Sequence, residues 1–312
     1  MNLPNSLRYI INFAGEQGVF SGYKCDELRL NDGLLYIGSC AFIYCDCLRL
    51  YLPSSITYLN PGCITYSWRL QEILTSGTSS SFSIVNKSLM SADKTVLYTV
   101  PAGITGTYYV PNTTITINDK SFTYSRISQI IIPESVINIG SKTFNQCDYL
   151  SYAYISKGVT NLKIDTFDKC PKLTTIYLGM QTIPKMNLPT AQFVIIGNET
   201  EIIDESAFTT MSKLRSIIIP PSVKSIGERA FFGLSNLNSL KIYGNPTIGT
   251  DSFNGTNIAC GIICYKDLIP SLISNGIRQN SFEICCNSIA QLRYSVFNFL
   301  SLTFTAFVII VM

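Results

Sequence analysis

The sequence predicts a solenoid, a chain wound into stacked coils that each contribute a short parallel strand and a turn. Three observations carry that prediction. A six-residue phrase (aliphatic, Gly or Asp, two variable residues, a small residue, Phe) recurs along the 312 residues. Its copies keep a nearly constant spacing. Between them lie alternating apolar runs rich in β-branched residues, several of which end in proline. The composition is compatible: 46% of residues are hydrophobic and 14% charged, which is ample for a core and far from the composition of a disordered chain.

The phrase reads Ile37-Gly38-Ser39-Cys40-Ala41-Phe42 at its first appearance. It returns as Ile139 to Phe144, Ile203 to Phe208, Ile226 to Phe231 and Ile248 to Phe253, with weaker copies ending at Ile64, Phe122 and Phe167. Phe42 to Ile64 is 22 residues, Phe122 to Phe144 is 22, Phe144 to Phe167 is 23, Phe208 to Phe231 is 23 and Phe231 to Phe253 is 22. Phe167 to Phe208 is 41, two periods with the middle copy eroded. A period of about 20–29 residues is that of leucine-rich repeats. The alternating runs, such as Ile127 to Ile132, Leu173 to Leu178, Leu214 to Ile219 and Leu237 to Ile242, read as short strands that proline terminates. The predicted fold class is therefore a leucine-rich-repeat solenoid of horseshoe-like α/β type, with short helical or 3-10 turns between short parallel strands. One such unit cannot bury its own apolar face, whereas stacked neighbours form a continuous core.

The stretches from Ile132 to Leu150 and from Ile219 to Leu237 carry an Ile-Pro-x-x-Val, Ile-Gly-x-x-Ala/Thr-Phe, x-x-x-x-x-Leu succession. This resembles BspA-type leucine-rich repeats over roughly residues 28–265. Asn86 to Gly103 is similar to the β-rich insertion of that group. The resemblance implies a surface antigen or adhesion protein that binds host matrix or neighbouring cells, without shared catalytic residues. Two stretches depart from the pattern: Cys63-Ile64 stands in place of Ala-Phe, and 179–200 has lost the motif.

In chain order, residues 1–27 are expected to cap the first repeat, because Arg8, Asn12, Glu16 and Gln17 break any signal-peptide pattern. Repeats follow over 28–75, a β-rich insert over 76–112 with Asp93-Lys94 at a hairpin turn, and repeats again over 113–265. Residues 266–293 read as a C-terminal cap or linker. The 19 residues from Tyr294 to Met312 carry no charge and follow Arg293. They are near the minimum length for a membrane-spanning helix, so a C-terminal hydrophobic helix serving as anchor is expected. A removed lipid-anchor signal and a buried solenoid cap are the competing readings.

Composition narrows the function. There is no histidine, which removes Ser-His and Cys-His nucleophile pairs and every His-containing zinc site. The 23 basic and 20 acidic residues are scattered, with no basic stripe to track a nucleic-acid backbone. Neither a phosphate-binding glycine loop nor a pair of acidic residues at defined spacing is present, and Asp165, Asp204 and Asp251 occupy turn positions. No enzyme activity, cofactor, metal or small-molecule substrate is expected. Cys45, Cys147 and Cys170 fall at equivalent positions and are expected to be small buried residues. Cys260, Cys264, Cys285 and Cys286 suit a cap disulfide better than zinc, whose usual ligand spacing they lack. Outward strand residues Tyr152, Tyr154, Tyr177, Arg215 and Lys241 form the candidate partner surface. Asn86, Asn112, Asn198 and Asn254 open sequons for glycans. The expectation is a membrane-attached recognition protein at the cell surface that binds protein partners. The alternative is an intracellular scaffold on a cytosol-facing membrane.

Overall fold

The structure, a computed structural model, describes residues 4–11, 18–60, 62–64, 66–258 and 262–282. The expected hydrophobic helix at 294–312 and the cysteines at 260, 285 and 286 lie outside them. Among the described residues no helix is long and apolar enough to cross a membrane.

Each coil contributes one longer strand and one two-residue strand, and the coils stack in parallel. The longer strands make a three-stranded sheet from Lys24–Arg29, Asp46–Leu52 and Glu72–Thr75. An eight-stranded sheet follows, in the order Thr105–Tyr109, Arg126–Ile132, Tyr152–Ile155, Thr175–Leu178, Phe193–Ile196, Ser216–Ile219, Ser239–Ile242 and Ile262–Ile263. The short strands, such as Asn138–Ile139 and Ser225–Ile226, form their own ladders on the other side of the coil. Alternation decides which residues are inside. In Ser216–Ile219 the side chains of Ile217 and Ile219 are buried while Ser216 and Ile218 face out. After several long strands a proline opens a turn, as where the Val136 amide donates to the Pro133 carbonyl, and the chain swings to the short strand.

The connections through the recurring phrase are hydrogen-bonded turns and not the short helical or 3-10 segments expected from the sequence. The reason is conformational. Each turn has one or two residues with a positive φ, either just before the small residue (Cys40, Lys120, Lys142, Ser206, Arg229, Asp251) or two residues after the aromatic (Tyr44, Tyr124, Gln146, Lys169). A right-handed helix admits neither. Among the described residues helix occurs only near the end, at Lys266–Leu268, Ile269–Ser274 and Gln279–Phe282. There Leu268, Leu272, Ile277 and Phe282 are buried and the Phe253 amide donates to Asn275, so this segment closes the last coil.

The phenylalanines of successive turns stack into ladders. Centroid separations are 4.8 Å for Phe122–Phe144, 5.0 Å for Phe144–Phe167, 4.8 Å for Phe208–Phe231 and 5.1 Å for Phe231–Phe253. Where the residue before the phenylalanine is Ser or Thr, its hydroxyl ties coils together: Thr143 donates to the Asn118 carbonyl and Ser252 to that of Gly227. Cys45, Cys147 and Cys170 are buried as expected, and their thiols are also hydrogen-bond donors. The thiols of Cys147 and Cys170 each lie 3.0 Å from the carbonyl of the phenylalanine one coil back, Phe122 and Phe144. Ser67 bonds the Phe42 carbonyl in the same way.

Two hydrophobic cores result, one from Ile10 to Leu89 and one from Met90 to Phe282. The boundary falls inside the expected insert. Phe82–Val85, Ser88–Ser91 and Val96–Thr99 are antiparallel, and Asn86 and Lys87 take positive φ in the first tight hairpin turn. Leu89 and Met90 are both fully buried, Leu89 in the first core and Met90 in the second, so this meander is a wall between two stacks. Its third strand already runs parallel to Thr116–Ile117. Thr105–Tyr109, also within 76–112, pairs in parallel with Arg126–Ile132 as a full solenoid strand.

The eroded copy at 179–200 is a shortened coil. Thr182–Ile183 and Phe193–Ile196 are in place, but the turn between them is cut short through Pro184 and Pro189. Met186, Leu188 and Ala191 fill the core there in the absence of a phenylalanine.

Candidate functional site

The outward face of the long strands divides into two chemically different parts. On the three-stranded sheet it is charged and self-paired. Glu27, Arg49 and Glu72 sit side by side in register; Arg49 donates to Glu27 at 3.0 Å and to Glu72 at 3.2 Å. Arg29 donates to Glu27 at 2.9 Å and lies 3.6 Å over the Tyr51 ring. Arg69 reaches Asp26 and Asp46. The Arg29 and Arg49 guanidiniums hold the Glu27 carboxyl below its usual range. A face whose charges are already matched offers little to a partner.

The eight-stranded sheet presents the opposite. Register places Tyr109, Ile131, Tyr154, Tyr177 and Ile195 in one outward row. Ile218, two residues beyond the Phe193–Ser216 pair, and Lys241 continue it. Seven strands at about 4.8 Å apart make the row about 29 Å long. Tyr109, Ile195 and Ile218 are exposed, and the rings of Tyr154 and Tyr177 stack at 4.5 Å with 9° between their planes. A second row runs Gln129, Tyr152, Thr175, Phe193 and Ser216, with Phe193 58% exposed. Burial is the first cause that raises the phenol pKa values of Tyr152, Tyr154 and Tyr177. A long apolar and aromatic surface of this kind has the composition of a protein-interface core.

The structure thus brings Tyr152, Tyr154 and Tyr177 together and places Lys241 at the far end of the same row. Arg215 is exposed but precedes its strand, at the rim. Sequence reasoning missed Tyr109, Ile131, Phe193, Ile195 and Ile218. A signal was present: in Ile130-Ile131-Ile132, Val194-Ile195-Ile196 and Ile217-Ile218-Ile219 the middle aliphatic occupies a position that alternation assigns to the outside.

The four sequon asparagines are exposed. Asn86 donates to the Tyr109 carbonyl and Asn254 to the Asp251 carboxylate. Cys25 and Cys47, paired residues of adjacent strands, form a disulfide. Among the described residues no three His, Cys, Asp or Glu gather as a metal-binding cluster. An open cleft of about 270 Å³ lies at the shortened coil, over Phe167, Cys170 and Leu188.

Residues 1–105, 104–188 and 186–307 match the model of the BspA type leucine rich repeat region, six copies in all. Two solved structures are similar in fold. A leucine-rich repeat protein from Bacteroides ovatus is 21% identical with a TM-score of 0.62, covering 90% of this chain and 76% of that one. A leucine-rich repeat protein from Eubacterium ventriosum is 24% identical with a TM-score of 0.58, covering 76% of this chain and 66% of that one. The chain therefore spans just under two thirds of the Eubacterium protein. No curated protein matches by sequence.

Proposed function

The chain belongs to the BspA-type leucine-rich-repeat family, and from that premise we propose that it is a non-enzymatic adhesion protein at the cell surface. It captures a protein partner, on matrix or on a neighbouring cell, across the outward face of the eight-stranded sheet. The observation that carries this reading is the apolar row from Tyr109 to Ile218, with Lys241 at one end and the Lys157–Glu134 ion pair and Glu199 along its margin. Tyrosines already stacked, and isoleucines held by a ladder, lose little side-chain freedom on binding. The Cys25–Cys47 disulfide supports an oxidising compartment over the cytosol. In this reading 294–312 attaches the chain to the membrane, and Asn86, Asn112, Asn198 and Asn254 accept glycans.

The test is capture of beads coated with the chain by intact cells and by immobilised matrix proteins. Ile195→Lys with Ile218→Lys is expected to abolish capture. Ile202→Lys, on an exposed isoleucine of the short-strand ladder, is expected to leave it unchanged. Equal capture by both variants refutes the assignment of the face.

A further inference from the structure

The first coils hold three sulfurs together, away from the apolar row. Cys25 and Cys47 are register partners on adjacent parallel strands and form a disulfide. Cys45 stands where Ser67, Cys147 and Cys170 stand in other coils, and those three donate to the carbonyls of Phe42, Phe122 and Phe144 one coil back. The Cys45 thiol departs from that column. It turns to the Cys47 sulfur at 3.1 Å, with the Tyr23 carbonyl at 3.9 Å. Atoms about 3–3.5 Å apart are close enough to react. A cavity of about 10 Å³ between Phe42, Leu50, Ser67 and Leu70 borders Cys45 and Cys47, which leaves slack beside the sulfurs. Cys45 and Cys47 are buried, whereas Cys25 is half-buried on Lys24–Arg29, the end strand of its sheet.

We propose that Cys25, Cys45 and Cys47 form a thiol–disulfide exchange site that couples the chain covalently to an external disulfide. The Cys45 thiol loses its proton and attacks the Cys47 sulfur. The Cys45–Cys47 bond forms as the Cys25–Cys47 bond breaks, and Cys25 leaves as a thiolate. Cys25 then attacks one sulfur of the external disulfide, and the other sulfur departs and takes up the proton as a thiol. Two disulfides and one thiol enter and the same number result, so neither oxidant nor reductant is required. The free thiol has moved from an enclosed place to the open end of the sheet. Asp46, paired with Arg69, adjoins the cluster, and Lys24 and Asp26 flank Cys25. Burial first, and then the Asp46 charge, raise the Cys45 thiol to about 11 against the hydrogen bond from the Cys47 backbone. The thiolate fraction, and with it the first step, therefore grows as pH rises toward that value.

The full chain is incubated with oxidised glutathione at pH 7, 8 and 9, quenched and digested in acid, and its sulfur linkages are mapped by mass spectrometry. Glutathione is expected on Cys25 in chains that carry the Cys45–Cys47 bond, forming about tenfold faster for each pH unit. Cys45→Ser places at 45 the residue found at the equivalent Ser67. It is expected to keep the Cys25–Cys47 bond and the parent's Tm, and to lower the Cys25 adduct at least tenfold. An adduct on Cys25 without the Cys45–Cys47 bond overturns the proposal, as does an undiminished adduct in Cys45→Ser. Absence of an adduct on Cys25 at all three pH values overturns it too. The linkage map of the parent chain decides independently of how the variant folds.

Discussion

Removing the ring of Phe144 tests the packing on which every surface depends. Phe144 is fully buried between Phe122 at 4.8 Å and Phe167 at 5.0 Å, its plane 28° and 8° from theirs. Phe144→Ala removes the ring and leaves a cavity between two others, a change that costs about 3–5 kcal/mol. Phe144→Leu keeps most of the apolar burial and loses the two ring contacts, at about 0.5–1.5 kcal/mol each, so about 1–3 kcal/mol is expected. Against a total stability of roughly 5–15 kcal/mol, the alanine variant is severely weakened. Urea unfolding followed by far-UV circular dichroism measures both values. Trp68 fluorescence, recorded in the same samples, follows the first stack. Because coils couple mainly to their neighbours and the meander divides the cores, the dichroism midpoint is expected to fall more than the Trp68 midpoint. A cost below about 1 kcal/mol for Phe144→Ala refutes the ladder as a source of stability.

Three other perturbations address separate features. A Cβ on Gly158 would collide with the carbonyl oxygen of Glu134 in the turn of the coil before, so Gly158→Ala is expected to lower stability by about 1–3 kcal/mol in the same unfolding assay. The folded-state pKa of Glu27 is depressed by Arg29 and Arg49, so its contribution is present above the ordinary value of 4.5 and disappears as pH falls through the folded-state value. Thermal unfolding recorded by Trp68 between pH 6 and pH 3 is expected to show this loss, and Glu27→Gln is expected to reduce it. Burial raises the thiol pKa of Cys45 to about 11 and pushes those of Cys63 and Cys147 up as well. Mass spectrometry after iodoacetamide treatment at pH 8 is therefore expected to find all three unmodified in the native chain and modified in urea.

The legible part of this fold is the part that each coil repeats. Phe42, Phe144, Phe208, Phe231 and Phe253 occupy one place in the coil, so their spacing alone marks the period. The coil at 179–200 is not legible that way, because Met186, Leu188 and Ala191 do the work of the missing aromatic through a shorter turn. The turn conformation was hidden for another reason. Positive φ is usually announced by glycine, and here Cys40, Lys142, Ser206 and Arg229 adopt it, at a cost of order 1–3 kcal/mol each that the stacked neighbours outweigh. Surface chemistry depends on register between coils. Glu27, Arg49 and Glu72 lie 22 and 23 residues apart, so their pairing emerges only when the chain is written with coils aligned. Tyr154 and Tyr177 are legible as outward residues from their own strands, whereas Ile195 and Ile218 lie in continuous aliphatic runs whose alternation is masked by their neighbours.

Oxidative footprinting of the chain while bound to intact cells tests the central claim most directly. Hydroxyl-radical labelling is compared between free and bound chain at Tyr154, Tyr177 and Ile218, with Tyr9 and Tyr58 on the short-strand ladder as references. The account predicts protection of the first three and unchanged labelling of the references. Protection at Tyr9 and Tyr58, with the long-strand row still labelled, would contradict it.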